Sequence, residues 1–224
     1  MAIFVLVHGS AHSPRAWDLL KSQLQQGRHA VITPELPADE PDAGAARYAE
    51  LIATAIPQGE EPIVVAHSAS GWFLPLVASL RRVRRIVFLA AAVPKLGMSF
   101  LDLFHAEPEM INPIWIGKDA RKPEVINEFL LHDCPPDRLR WAQTEIRVLN
   151  LRRIWDECYP LKQWPNVPAS YIVCSQDRTF QPAWCRKVAR TQLLIEPIEL
   201  SAGHCPYISR PNELAEILVN ELNS

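Results

Sequence analysis

The sequence predicts an α/β fold: a mostly parallel sheet of about six strands flanked by helices, with a helical cap inserted late in the chain. Three observations carry this expectation. Short apolar runs alternate with stretches of helical spacing from Ile3 to Ala90, and again from Ala169 onward, the alternation that right-handed crossovers turn into a parallel sheet. The first run is apolar throughout instead of at every second residue, as befits a strand covered by helices on both faces. Between about Pro94 and Val167 the alternation stops, over a length no ordinary loop reaches.

Taken in order, Ile3 to Val7 is the first strand, followed by a helix from about Arg15 to Gln25 that sets Trp17, Leu20 and Leu24 on one face. His29 to Thr33 is the second strand, and a helix from about Ala43 to Ile56 leads to a third at Ile63 to Ala66. Phe73 to Leu80 has helical apolar spacing, and Arg84 to Ala90 is the next strand. Residues 94–167 hold four of the seven tryptophans (Trp115, Trp141, Trp155, Trp164) and no clear strand, and are read as the cap. Ala169 to Cys174 and Leu193 to Leu200 are strands, with a helix from Ala183 to Thr191 between them. A closing helix runs from Asn212 to Leu222, with proline just before it and Glu213 in its first turn. The expected division is therefore a core of residues 1–93 and 168–224 with a cap of residues 94–167.

A chain of 224 residues suits one α/β domain. A formal charge of -2 offers no reason to expect nucleic acid or an anionic membrane as partner. Met1 to Val7 run straight into a strand without a basic leader, and no apolar run reaches the roughly 20 residues of a spanning helix. Five cysteines in an odd count, without C-x-x-C spacing, argue for reduced thiols over disulfides or zinc. A soluble, cytoplasmic protein is expected.

The chemistry centres on Ile63-Val64-Val65-Ala66-His67-Ser68-Ala69-Ser70-Gly71. A β-branched run ends at a serine whose neighbours at two residues' distance are small, and a helix follows. This is the pattern of a nucleophile elbow, a tight turn that lifts a hydroxyl out of the sheet. Ala66 and Ser70 replace the usual glycines but keep the steric requirement.

A nucleophilic serine needs a base, an orienting carboxylate and oxyanion donors. The acid and base belong on loops after later strands, in the order Ser, acid, His. Asp177, in Ser175-Gln176-Asp177-Arg178, and His204, in Ala202-Gly203-His204-Cys205, stand at those places. The loop after the first strand, His8-Gly9-Ser10, supplies the remaining part: the backbone N–H groups of Ser10 and Ala69 are the expected oxyanion hole.

These motifs together (Phe4 to Gly9, Ala66-His67-Ser68, Ser175-Gln176-Asp177 and Gly203-His204) resemble the α/β-hydrolase superfamily. Within it the chain is similar to the small-capped branch of plant methyl esterases, hydroxynitrile lyases and bacterial esterase-like hydrolases. The resemblance implies a serine carboxylesterase acting on a small, rather apolar ester through an acyl-enzyme, with Ser68, His204 and Asp177 as catalytic triad and no metal or organic cofactor. It also implies that the family's first two antiparallel strands are missing here. Hydroxynitrile lyases of this kind carry a threonine after the first-strand histidine and a lysine after the catalytic histidine. Gly9 and Cys205 stand there instead, which favours hydrolysis.

Two alternatives stay open: a lyase or carbon–carbon bond hydrolase using the same triad, and a non-catalytic receptor with a hydrolase fold. The expected partner is a small-molecule ester, with a homodimer as an option. His12 is expected to pack within its loop, Cys205 to be a buried thiol, and Arg81, Arg82, Arg84 and Arg85 to cap the end of the elbow helix.

Overall fold

The structure, a computed structural model, describes residues 1–222. Six strands form one sheet: β1 (Ile3–Val7), β2 (Ala30–Ile32), β3 (Ile63–His67), β4 (Arg85–Leu89), β5 (Ala169–Cys174) and β6 (Ile198–Leu200), in the order β2-β1-β3-β4-β5-β6. Every pair is parallel, and no antiparallel strand joins the sheet among the described residues. The chain leaves β1 towards one edge and returns beside it as β3, so a crevice opens at the carboxyl ends of these two strands. The registers Val7↔Ala66, His67↔Leu89 and Cys174↔Leu200 bring the strand ends to one level. The loops that carry the candidate residues therefore meet there.

Strand residues alternate between two apolar clusters, one on each face of the sheet. Val5, Val7, Val64, Ala66, Ile86 and Phe88 pack with Tyr48 and Ile52 of α2 (Ala45–Ala55), Val77 of α3 (Leu74–Leu80) and Val188 of α8 (Pro182–Thr191). Phe4, Leu6, Val65, Val87 and Leu89 face Leu20 and Leu24 of α1 (Asp18–Gln26) and Leu214 and Leu218 of α10 (Pro211–Asn220). Burial on both faces is what the unbroken apolar strands required.

Between β4 and β5 lie α4 (Phe100–Ala106), α5 (Pro123–Val125) running into a π turn at Ile126–Leu130, α6 (Pro136–Thr144) and α7 (Arg152–Asp156). A capping box fixes the start of α4: Ser99 Oγ accepts from Asp102 N–H at 3.0 Å while the Asp102 carboxylate accepts from Ser99 N–H at 3.0 Å. The stretch 145–149 lies along the loop after β1. There Ser13 N–H donates to Glu145 O at 2.8 Å, Arg147 N–H to Ala11 O at 3.1 Å and Leu149 N–H to Ser10 O at 2.7 Å.

Several expectations need correction. The last strand begins at Ile198, not Leu193. The N–H groups of Leu193 and Ile195 instead close the end of α8 on Val188 O and Ala189 O, with Leu194 at φ +58° between them. Both early helices begin with a 3-10 turn, Pro14–Trp17 and Ser68–Phe73, before α1 and α3. A short helix α9 (Pro206–Ser209) had no sequence signal of its own. Arg81 is the C-cap residue of α3, its N–H donating to Val77 O at 2.9 Å, but the arginine side chains turn to other partners. The Arg81 guanidinium donates to Ile56 O and Pro57 O beyond α2, Arg82 pairs with Glu61, and Arg85 pairs with Glu221 at 3.4 Å. No helix among the described residues is long and apolar enough to cross a membrane.

Candidate active site

Ser68 follows the last residue of β3 with φ +58°, in the left-handed region that non-glycine residues avoid. Such strain persists only where the surroundings over-determine it, and here they do. Gly71 lies against the backbone of Ala92 and the side chain of Ala91, which a Cβ at position 71 would meet at 2.8 Å. Ala92 N–H in turn donates to Ser68 O at 3.0 Å. Ser70, where glycine is usual, is fully buried and donates from its hydroxyl to His8 O at 2.6 Å.

The loop after β1 approaches the elbow equally closely. A Cβ on Gly9 would lie 2.7 Å from His67 Nδ1 and 3.0 Å from the Ser68 Cβ, so only glycine allows this approach. His8 is held inside by its own ring: Nε2 accepts from Leu36 N–H at 3.2 Å, and Nδ1–H donates to Gly9 O at 3.0 Å. Burial lowers its pKa to about 4, so both bonds are those of a neutral imidazole.

The structure brings all three sequence-predicted catalytic residues together. His204 Nε2 lies 3.0 Å from Ser68 Oγ, and its Nδ1 lies 2.8 Å from Asp177 Oδ2. The other carboxylate oxygen, Oδ1, accepts from Thr179 N–H at 2.6 Å and Phe180 N–H at 3.2 Å, which aims Oδ2 at the imidazole. With Nδ1–H donating to Asp177, Nε2 presents its lone pair to the serine hydroxyl. Ser10 and Ala69, the expected oxyanion donors, both line the cavity into which Ser68 opens.

That cavity encloses about 230 Å³. Phe100, Ile111, Trp115, Leu130, Val148, Leu149, Leu151, Trp155 and Phe180 make most of its wall, and no carboxylate, lysine or arginine lines it. Eight of those nine residues, all but Phe180, belong to the segment between β4 and β5. No group of three or more His, Cys, Asp or Glu side chains among the described residues is arranged to hold a metal ion.

Behind the triad sits a buried polar group whose composition the sequence did not announce. His67, the residue before the nucleophile, donates from Nε2–H to the backbone carbonyl of His204 at 2.8 Å. Its Nδ1 lies 3.3 Å from the Tyr207 hydroxyl on α9. Burial, with the neighbouring His204 and His12 adding to it, holds the His67 pKa well below the ordinary histidine value. Cys205 is buried, and burial pushes its thiol well above the usual range, so it is protonated and no nucleophile. His12 is buried as expected of a loop-packing residue, yet it also lines the cavity. A signal for His67 was present in the elbow motif itself, but its partner lies on a short helix with no periodic pattern.

The sequence model described as "Alpha/beta hydrolase family" matches residues 4–217. Norfluorocurarine synthase 2 of Strychnos nux-vomica is 28% identical over 254 aligned positions, covering 96% of this chain and 93% of the relative. Methylesterase 7 of Arabidopsis thaliana is 24% identical, covering 96% of this chain and 94% of its own length. The solved structure of polyneuridine aldehyde esterase superposes with a TM-score of 0.83 at 18% identity, over 99% of each chain.

Proposed function

As a member of the alpha/beta hydrolase family, whose model spans residues 4–217, the chain has an expected chemistry, and we propose that it hydrolyses a small, rather apolar carboxylic ester through an acyl-enzyme. The observation that carries this reading is the unbroken contact Asp177–His204–Ser68 at the wall of an apolar cavity. The methylesterase among its relatives agrees with an ester as substrate.

In this reading Ser68 Oγ attacks the ester carbonyl carbon as His204 Nε2 takes its proton. The tetrahedral oxyanion is held by the N–H groups of Ser10 and Ala69, each such donor being worth about 3 kcal/mol of barrier. His204 then protonates the leaving alcohol, and the acyl group stays on Ser68. Water repeats the sequence: His204 takes its proton, hydroxide adds to the acyl carbon, and the serine leaves with the proton returned. Asp177 keeps the imidazole in the Nδ1–H tautomer and stabilises the imidazolium at each stage. No step calls on a metal or organic cofactor.

The segment 94–167 serves as cap, since it supplies most of the apolar wall and so sets which acyl and alcohol groups fit. A reducing, cytoplasmic setting suits five free cysteines, of which Cys174, Cys185 and Cys205 are buried. The test is labelling by a fluorophosphonate probe, with p-nitrophenol release from short acyl esters. Wild type should label and turn over, and Ser68→Ala should do neither. A wild-type chain that neither labels nor releases p-nitrophenol sinks the proposal.

A further inference from the structure

The polar residues behind the triad form one connected row. His12 Nε2 lies 3.9 Å from Cys205 Sγ, Cys205 Sγ lies 3.5 Å from the Tyr207 oxygen, and that oxygen lies 3.3 Å from His67 Nδ1. The row ends where His67 Nε2 meets the carbonyl of His204 at 2.8 Å. All four side chains are at most 1% exposed, and of them His12 and His67 line the cavity while Cys205 and Tyr207 do not.

Counting protons fixes the direction of the row. A carbonyl only accepts, so His67 spends its single ring proton on His204 O, and its Nδ1 is left as an acceptor. The Tyr207 hydroxyl is the donor within reach of that nitrogen, and it has one proton to give. Taken alone, the 3.5 Å contact between Tyr207 and Cys205 has the tyrosine hydroxyl donating to the sulfur. With that single proton given to His67 Nδ1, the contact takes its proton from the thiol instead, which is protonated. With its own proton committed to the tyrosine oxygen, the sulfur can only accept from His12, so His12 carries its proton on Nε2. The reverse direction would leave His67 Nδ1 as a buried acceptor without a donor, at a cost of about 1–3 kcal/mol.

The far nitrogen of His12 then has no proton, and it has no hydrogen-bond partner among the described residues. Nor is it among the sealed, unpartnered polar atoms of the interior, although the residue is 1% exposed and lines the cavity. Its small exposure is therefore at the cavity wall. We propose that His12 Nδ1 is a fixed hydrogen-bond acceptor in the substrate cavity, recognising an O–H donor: a hydroxyl group carried by the ester, in addition to the ester function itself. It rests on the hydrolase reading for the word "substrate" and on the proton count alone for the acceptor.

Two further observations support it. Burial, with His204 and His8 nearby, lowers the His12 pKa to about 3, so the ring stays a neutral acceptor at every working pH. His12 also stands two residues after Ser10, a candidate oxyanion donor, with its backbone bridged to Ile146, so the acceptor is rigid with respect to the reacting carbonyl.

The first measurement does not depend on activity. In protein carrying 15N-histidine, the two nitrogens of a neutral imidazole resonate far apart, and the His12 signals are assigned by their loss in His12→Phe. The Nε2–H tautomer from pH 5 to 9 is expected; the Nδ1–H tautomer, or an imidazolium in that range, overturns the acceptor. The second compares p-nitrophenyl 3-hydroxybutyrate with p-nitrophenyl butyrate, and 2-hydroxyethyl with ethyl butyrate, in wild type and His12→Phe. The ratio of kcat/KM for the hydroxylated over the plain ester should fall about tenfold in the variant for at least one pair, mostly through KM. If both ratios hold while the variant accumulates acyl-enzyme, the O–H donor is the hydrolytic water and the substrate claim is overturned. If neither changes while the fluorophosphonate still labels Ser68, the acceptor is idle and the proposal fails. Absence of labelling in wild type strikes the hydrolase reading instead, and the tautomer result still decides the acceptor.

Discussion

The hydroxyl of Ser70 and the carbonyl of His8 are joined by a 2.6 Å hydrogen bond, both groups fully inside the protein. The bond fastens the nucleophile turn to the loop after β1, and it occupies the space a glycine would have left empty. Ser70→Ala orphans the carbonyl, an effect of about 1–3 kcal/mol. A urea titration should show the midpoint fall accordingly with an unchanged slope, and Ser70→Gly should be no better.

Gly9 is the other half of that closure. Gly9→Ala would place a methyl group 2.7 Å from His67 Nδ1 and 3.0 Å from the Ser68 Cβ, forcing the loop outward. Displacing the Ser10 N–H should reduce ester turnover by about two orders of magnitude, the worth of one oxyanion donor. Turnover within threefold of wild type would show that the loop yields freely and carries no donor.

Asp177→Asn tests the orientation of the base. Nothing else is placed to hold His204 Nδ1–H, and an amide turned the wrong way stabilises the opposite tautomer. Steady-state hydrolysis at pH 7 should drop by about four orders of magnitude, as in comparable triads. Folding, read by circular dichroism, should be retained because Oδ1 still accepts from Thr179 and Phe180.

Acid should destabilise the fold through its buried histidines. His8 and His12 have folded pKa values of about 4 and about 3, below the ordinary value near 6.5 in the unfolded chain. Between those limits the unfolded state binds more protons, so stability rises with pH. On lowering pH from 7 to 5, each neutral buried histidine contributes a loss on the order of 1–2 kcal/mol. The urea midpoint should fall steadily below pH 6.5. A midpoint that is flat from pH 7 to pH 5 would show that these rings are charged, or solvated, in the folded protein.

The cavity wall contains no charged side chain to receive a second carboxylate. p-Nitrophenyl hemisuccinate, a charged ester, should therefore be hydrolysed at least a hundredfold less efficiently than p-nitrophenyl pentanoate, its near-isostere, in kcat/KM. Equal rates would mean that the charge remains in water and that the acyl chain does not enter the cavity.

The triad was legible because each member follows a strand whose apolar run is unmistakable: Ser68 after β3, Asp177 after β5, His204 after β6. Parallel strands end at one level, so strand order in the sequence already implies proximity in space. The register of β6 was less legible, since Leu193 and Ile195 are apolar enough for a strand yet spend their N–H groups closing α8. His67 was marked only by its place in the elbow motif, and its pairing with Tyr207 could not be read. Their meeting depends on the turn of α9, four residues long, which no periodicity marks. Likewise, the arginines after α3 find carbonyls beyond α2 and the Glu221 carboxylate by tertiary contact, against the local preference for the helix they follow.

The three backbone bonds between residues 10–13 and 145–149 divide the cavity wall into parts with different freedom to change. Residues 145–149 are in register with the loop that carries Ser10, and one residue inserted or removed there would slide that loop past Ser68. The stretch from Phe100 to Leu130 has no such tie to it and contributes Phe100, Ile111, Trp115 and Leu130 to the wall. New acyl or alcohol preferences can therefore be written into that stretch outside residues 110–112, whose backbone is bonded to residues 179–181 beside Asp177, while the loop of Ser10 stays in place.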